Sequence, residues 1–130
     1  MAWTTYLKNK MLDHLFTDPA YTPPATLYWG ISTTTPAVDG SGVTEPSGAN
    51  YSRKAVTAAD MSAAAAGVKE NSAALNFAVP SATWNVGTHL CLFDASTGGN
   101  LLLFVDVPDK TIDNGDLVQI PAGGVDHAIA

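Results

Sequence analysis

The chain has 130 residues, 46% hydrophobic and only 14% charged, with six basic against twelve acidic side chains, a net charge of −6 and one cysteine. That length suits a single domain, 1–130, able to bury about two-thirds of its unfolded surface without disulfides or metal. The lone Cys91 excludes an internal disulfide framework, and the few scattered Lys and Arg argue against nucleic acid as a partner. Intrinsic disorder is excluded by the apolar content. Met1 to Lys10 lacks the apolar core of a signal peptide. The longest aliphatic and aromatic run, Leu101–Val105, is far short of the ~20 residues that span a bilayer, so no membrane segment is expected.

Residues 1–18 read as a helix or arm. Trp3, Tyr6, Leu7, Met11 and Leu15 recur at spacings of three and four, Leu12 and Phe16 widen the stripe, and Thr4 or Thr5 offers an N-cap. Pro19, Pro23 and Pro24 forbid continuation. This aromatic-rich face needs a cover, either the protein's own sheet or a neighbouring subunit. From residue 25 the period becomes two. Leu27, Trp29 and Ile31 alternate with Tyr28, Gly30 and Ser32 as a strand, with Gly30 marking a bulge or a close backbone approach. Residues 33–50 (TTTP, DGSG, EPSGAN) read as a long loop and a candidate contact element. Tyr51, Arg53 and Ala55 alternate with Ser52, Lys54 and Val56, a half-polar strand suited to a sheet edge.

The alanine run 63–66, ending at Gly67, supports at most a short turn. Ala73, Leu75 and Phe77 form a strand stopped by Pro80, and Trp84 and Val86 an irregular or edge segment. His89–Asp94 and Leu101–Val107 are two apolar runs flanking Ala95–Asn100, a hairpin of central strands whose second member ends at Pro108. Asp113-Asn114-Gly115-Asp116 is a turn, Leu117, Val118 and Ile120 a strand, and Gly123-Gly124 bends into Val125, His127 and Ile129. One helix and seven or eight short strands make an all-β fold, an antiparallel β-sandwich or jelly roll over 25–130.

Chemistry-bearing patterns are sparse. Asp13 and His14 are helix neighbours that point apart. His89 and Cys91 share a strand face but make only two of the three or four ligands a zinc site needs, so Cys91 reads as a small core hydrophobe. Asp126-His127 has the same weakness. No nucleophile elbow, phosphate loop or dinucleotide fingerprint is present, and no cofactor or metal is expected. Asp106, Asp109, Asp113 and Asp116 fit solvated turns better than an EF-hand. Tyr21, Tyr28 and Trp84 fit a core better than a sugar platform. Low charge density suits a subunit of a permanent assembly.

The segments Ala2–Phe16 (AWTTYLKNKMLDHLF) and Tyr21–Pro36 (YTPPATLYWGISTTTP) resemble a family of short tailed-bacteriophage virion proteins. So do Glu45-Pro46-Ser47-Gly48 with Tyr51 and Arg53, the hairpin Phe93–Leu102, and Lys110–Asp116. The resemblance implies a virion structural protein with no catalytic residues. Its first reading is a capsid cement (decoration) protein on the outer head surface, clamping neighbouring copies of the major capsid protein. It would self-associate as a homotrimer or a dimer, since cyclic closure satisfies exposed edges. Contacts are expected at Trp3, Tyr6, Asp39, Glu45, Tyr51 and Arg53, with Asp109 and Asp113 as rim charges. The alternative is a tail-associated or tail-fibre component whose loops meet host-surface glycans. A glycan hydrolase would need paired carboxylates at a defined separation, whereas these acids lie in turns.

Overall fold

The computed structural model describes residues 1–124 and 126–128. In chain order it runs β1 (Ala2–Trp3), α1 (Thr5–Phe16), β2 (Thr26–Ser32), β3 (Lys54–Thr57), a 3₁₀ turn (Ala58–Asp60), β4 (Val68–Glu70), β5 (Leu75–Asn76), β6 (Asn85–Phe93), β7 (Leu101–Ile112), β8 (Gln119–Ile120) and β9 (Asp126–Ala128). The fold is therefore all-β with a single N-terminal helix. A five-stranded antiparallel sheet has the order β1-β7-β6-β2-β3, and two-stranded ribbons form from β4 with β9 and from β5 with β8. Val125 and Ile129 of the expected last strand lie outside the described residues.

The alternation in β2 sorts the two faces of the sheet. Leu27, Trp29 and Ile31 point one way, and register places Val56 opposite Leu27, Leu92 opposite Trp29 and Leu103 opposite Leu92, so these side chains share a face. They form the main core with Leu75, Phe77 and Ile120 of the β5–β8 ribbon region and with Trp84. On the other face Cys91, Phe93 and Leu101 make a smaller core, closed by Val43 from the 33–50 loop and by Phe104. Cys91 is completely buried there, in the core role expected of it.

Two expectations are corrected. Pro108 does not end β7, which continues to Ile112. His89 pairs with Asp106 and Gly87 with Lys110, so Val107, Pro108 and Asp109 stand opposite Thr88 alone. In this bulge a proline costs no ladder hydrogen bond. Val86 begins β6 where only β7 pairs with it, an edge position as expected, and Trp84 just before the strand is 1% exposed. Trp3 is not helical. It pairs with Leu103 in β1, and α1 begins only after Thr4.

Thr4 is the hinge of that transition and is fully buried. Its hydroxyl accepts from the Leu7 amide as the N-cap and donates to the carbonyls of Leu101 (2.7 Å) and Leu102 (2.9 Å). The cap thus also fastens α1 to the start of β7. The Thr5 amide, an orphan donor of the first turn, is taken by the Val38 carbonyl at 2.8 Å. Of the helix's apolar stripe only Leu7 is buried, while Leu12, Leu15 and Phe16 face solvent. The stripe is wider than the sheet that covers it. Among the described residues no helix is long and apolar enough to cross a membrane. Thr4→Ala is expected to lower the unfolding free energy by about 1–2 kcal/mol and Thr4→Ser by much less, measured by chemical denaturation.

Candidate functional site

One end of the sheet gathers the residues that the chain's distinctive motifs supply. Pro46 and Ser47 lead into Gly48, Ala49 and Asn50, all with left-handed backbone (φ 66°, 51° and 65°). The Tyr51 amide closes this turn on the Gly48 carbonyl at 2.9 Å, and the Asn50 side-chain amide donates to the Val79 carbonyl. The turn brings Tyr51 under the edge of β2. β3 pairs with β2 only from Thr26 to Trp29, so the Ile31 amide on that edge has no strand to bind. It donates instead to the Tyr51 hydroxyl at 3.0 Å.

That hydroxyl in turn donates to Glu45 Oε1 at 2.7 Å. Arg53 grips the same carboxylate with both prongs, Nε to Oε1 at 2.9 Å and an Nη to Oε2 at 2.7 Å. Its other Nη donates to the carbonyls of Ala95 (2.7 Å) and Gly98 (2.9 Å) in the hairpin loop, and its guanidinium lies 3.5 Å over the Phe93 ring centre. The Arg53 side chain is 7% exposed and that of Glu45 23%. Planar, bidentate and stacked, this pairing uses every property that separates arginine from lysine. Burial first, and then the bond to Glu45, push the Tyr51 hydroxyl far above its ordinary pKa.

Gly30 leaves the space for this network. A Cβ there would stand 2.7 Å from Glu45 Oε1 and 3.0 Å from both the Tyr51 hydroxyl and Phe93 Cε2, so of the two meanings its position in the strand held, close approach is the one realised. The Tyr51 ring meets Trp84 edge to face, centroids 5.1 Å apart, and Trp84 Nε1 donates to the Ala49 carbonyl. The hairpin loop is braced by its own sequence: Asp94 accepts from the Asn100 backbone and side-chain amides at 2.7 and 2.8 Å.

The residues expected to touch a partner fall into two groups. Glu45, Tyr51 and Arg53 bind one another, the β2 edge and the hairpin loop, which gives them a bracing role inside the chain. Trp3 in β1 and Tyr6 in the first turn of α1 are half-buried, and Asp39, Asp109 and Asp113 are exposed. Asp39 sits at the tip of the 33–50 loop, where the Ser41 hydroxyl and amide hold its carboxyl below the usual range. The four aspartates at 106–116 are turn and edge chemistry: Asp116 accepts from the Asp113 amide at 2.8 Å, and Asp106 lies 3.7 Å from His89. Among the described residues no three His, Cys, Asp or Glu side chains converge as a metal site. The aromatic trio does not form a platform, since Trp84 is core. Asn71, which no pattern in the sequence singles out, is buried, its side-chain amide donating to the Ala73 and Pro121 carbonyls and stapling the two ribbons' loops.

Two outcomes follow from this geometry. Arg53→Ala strands a partly buried carboxylate and frees the hairpin loop, and is expected to cost about 3 kcal/mol, with Arg53→Lys recovering less than half in the same denaturation experiment. Burial pushes the Cys91 thiol from its ordinary 9.0 up to about 12. The native state thus holds a proton that the unfolded chain releases, and this contribution to stability is full below pH 9 and lost as pH rises towards 12. Tyr51 acts in the same direction above pH 10. Thermal unfolding followed against pH is expected to show a steep alkaline loss, shallower in Cys91→Ala.

No curated protein matches the sequence. A family model described as podophage GP4 fiber I protein gp80 matches residues 2–128. That match takes in α1, the Glu45–Arg53 network, the hairpin and both ribbons, so the chain belongs to the podophage GP4 fiber I protein gp80 family, a family of virion structural proteins.

Proposed function

We propose that this chain is a non-enzymatic structural component of a short-tailed phage fibre, a globular module rather than a shaft. The observation that carries the reading is the use made of the buried ionised pair. Arg53 and Glu45 hold no open position for a substrate; they lock the 33–50 loop, the β2 edge and the hairpin loop into one stiff end. Such bracing suits a part that transmits force, and the family's description as a fibre protein supports placing it in the tail. The chain's twelve-residue helix offers no heptad repeat for a coiled-coil shaft, which leaves a knob, collar or adaptor role. Exposed loop tips such as Asp39 are the points at which host glycans or neighbouring fibre proteins would be met.

The same lack of a shaft is what favours the second reading, a cement protein on the major capsid protein. Immunogold labelling of intact virions separates the two. Label on the tail or its fibres is the expected result. Label spread over the head surface overturns the fibre reading in favour of cement.

A further inference from the structure

The 12-residue helix buries Leu7, packs Tyr6 and Met11 partly against the core, and leaves the last three apolar side chains of its stripe exposed. Leu12 is 57%, Leu15 72% and Phe16 74% exposed. At spacings of three and four these side chains adjoin on one face. Beside them run two grooves. One, about 550 Å³, is lined by Trp3, Leu7, Met11, Pro23, Trp29 and Met61 among others. The second, about 370 Å³, is lined by Met1, Trp3, Met11, Leu12 and Val38. Trp3 and Met11 line both grooves, Leu12 joins the second groove to the exposed ridge, and the Trp3 Nε1–H is buried without an acceptor. The largest apolar patch on a protein of this size is often its interaction site.

We infer that this surface binds a second copy of the chain, α1 lying antiparallel against α1. Charge argues for that occupant. In a protein of net charge −6, no acidic side chain lines either groove; the charged side chains that do are Lys8 and Lys69, Lys69 being held by the Ser62 carbonyl. The matching occupant is an apolar ridge flanked by acids. This chain carries one, Leu15 and Phe16 between Asp13 and Asp18. In an antiparallel pair centred on Leu12, Lys8 lies as far to one side as Phe16 to the other. Each Lys8 then meets the negative carboxyl end of the opposite helix and its Asp18. Size is adequate as well. The three exposed side chains leave on the order of 400 Å² of apolar surface in water, and the groove walls bring each copy towards the ~800 Å² that a standard interface takes from each partner.

The inference is independent of where in the virion the protein sits. Its test is sedimentation of the full chain at micromolar concentration, with wild type expected at twice the 13.5 kDa chain mass. The double variant Leu15→Glu with Phe16→Glu is expected as a monomer, its association weakened roughly a hundredfold or more, with unchanged far-UV circular dichroism because both side chains are solvent-exposed. Leu117→Glu, at an exposed position elsewhere (68%), is expected to associate as wild type does. A monomeric wild type, or an oligomer that survives the double substitution, overturns the proposal.

Discussion

Arg53 carries a permanent charge into a place where almost none of its side chain meets water, and the fold tolerates it because each of its three nitrogens donates to a carboxylate or carbonyl oxygen. The carboxylate of Glu45 takes two of them in a fork, two hairpin carbonyls take another nitrogen, and the Phe93 ring supports the guanidinium plane. Three segments far apart in sequence therefore have their positions set by one side chain. Without Glu45 the 33–50 loop would lose its anchor. Without Tyr51, held by the same carboxylate, the Ile31 amide would be an unpaired donor at the edge of β2. The cost of bringing such charges out of water is recovered only through this complete set of partners. That is why the backbone around it is so particular: Gly30 bare of a side chain, and three consecutive left-handed residues at 48–50.

The sheet passes this constraint on to the rest of the molecule. With one face of β6 and β2 committed to the network and the small Cys91–Phe93–Leu101 core, the other face takes the larger core and the β5–β8 ribbon. α1 is tied at its start only, through Thr4 and Thr5 to β7 and the loop tip at Val38. Its later turns run beyond the cover that the sheet provides. The 33–50 loop, long enough to suggest mobility, is instead drawn in by Thr33, Thr34 and Ser32 hydrogen bonds to its return limb, so its exposed tip stands on a firm base.

Much of the architecture was legible because it is local. Period-two alternation in Leu27–Ser32 and the apolar runs around a glycine-bearing loop report strands directly, and a threonine before a period-3.6 stripe reports a helix start. What failed was non-local. Pro108 reads as a stop until the bulge opposite Thr88 absorbs it. Trp3 reads as helical until its pairing with Leu103 makes it a strand. β4 has no alternation of its own and exists because β9 pairs with it. The candidate site was half legible: Glu45, Tyr51 and Arg53 were singled out, but nothing in their spacing shows that they bind one another or that the hairpin loop arrives above them.

By itself, then, the sequence determined the all-β class, the single helix, the central hairpin, the core character of Cys91 and, through its adjoining motifs, the virion family. The structural features follow from side-chain period, turn chemistry and composition, all of which act over a few residues, and the family follows from the motifs' resemblance alone. Only the tertiary structure decided which polar residues turn inward and which apolar ones remain outside. The first depends on whether a distant backbone supplies acceptors for Arg53. The second depends on how much of α1 the sheet is wide enough to cover, and burial of that kind is a property of the whole chain's packing rather than of any segment of it.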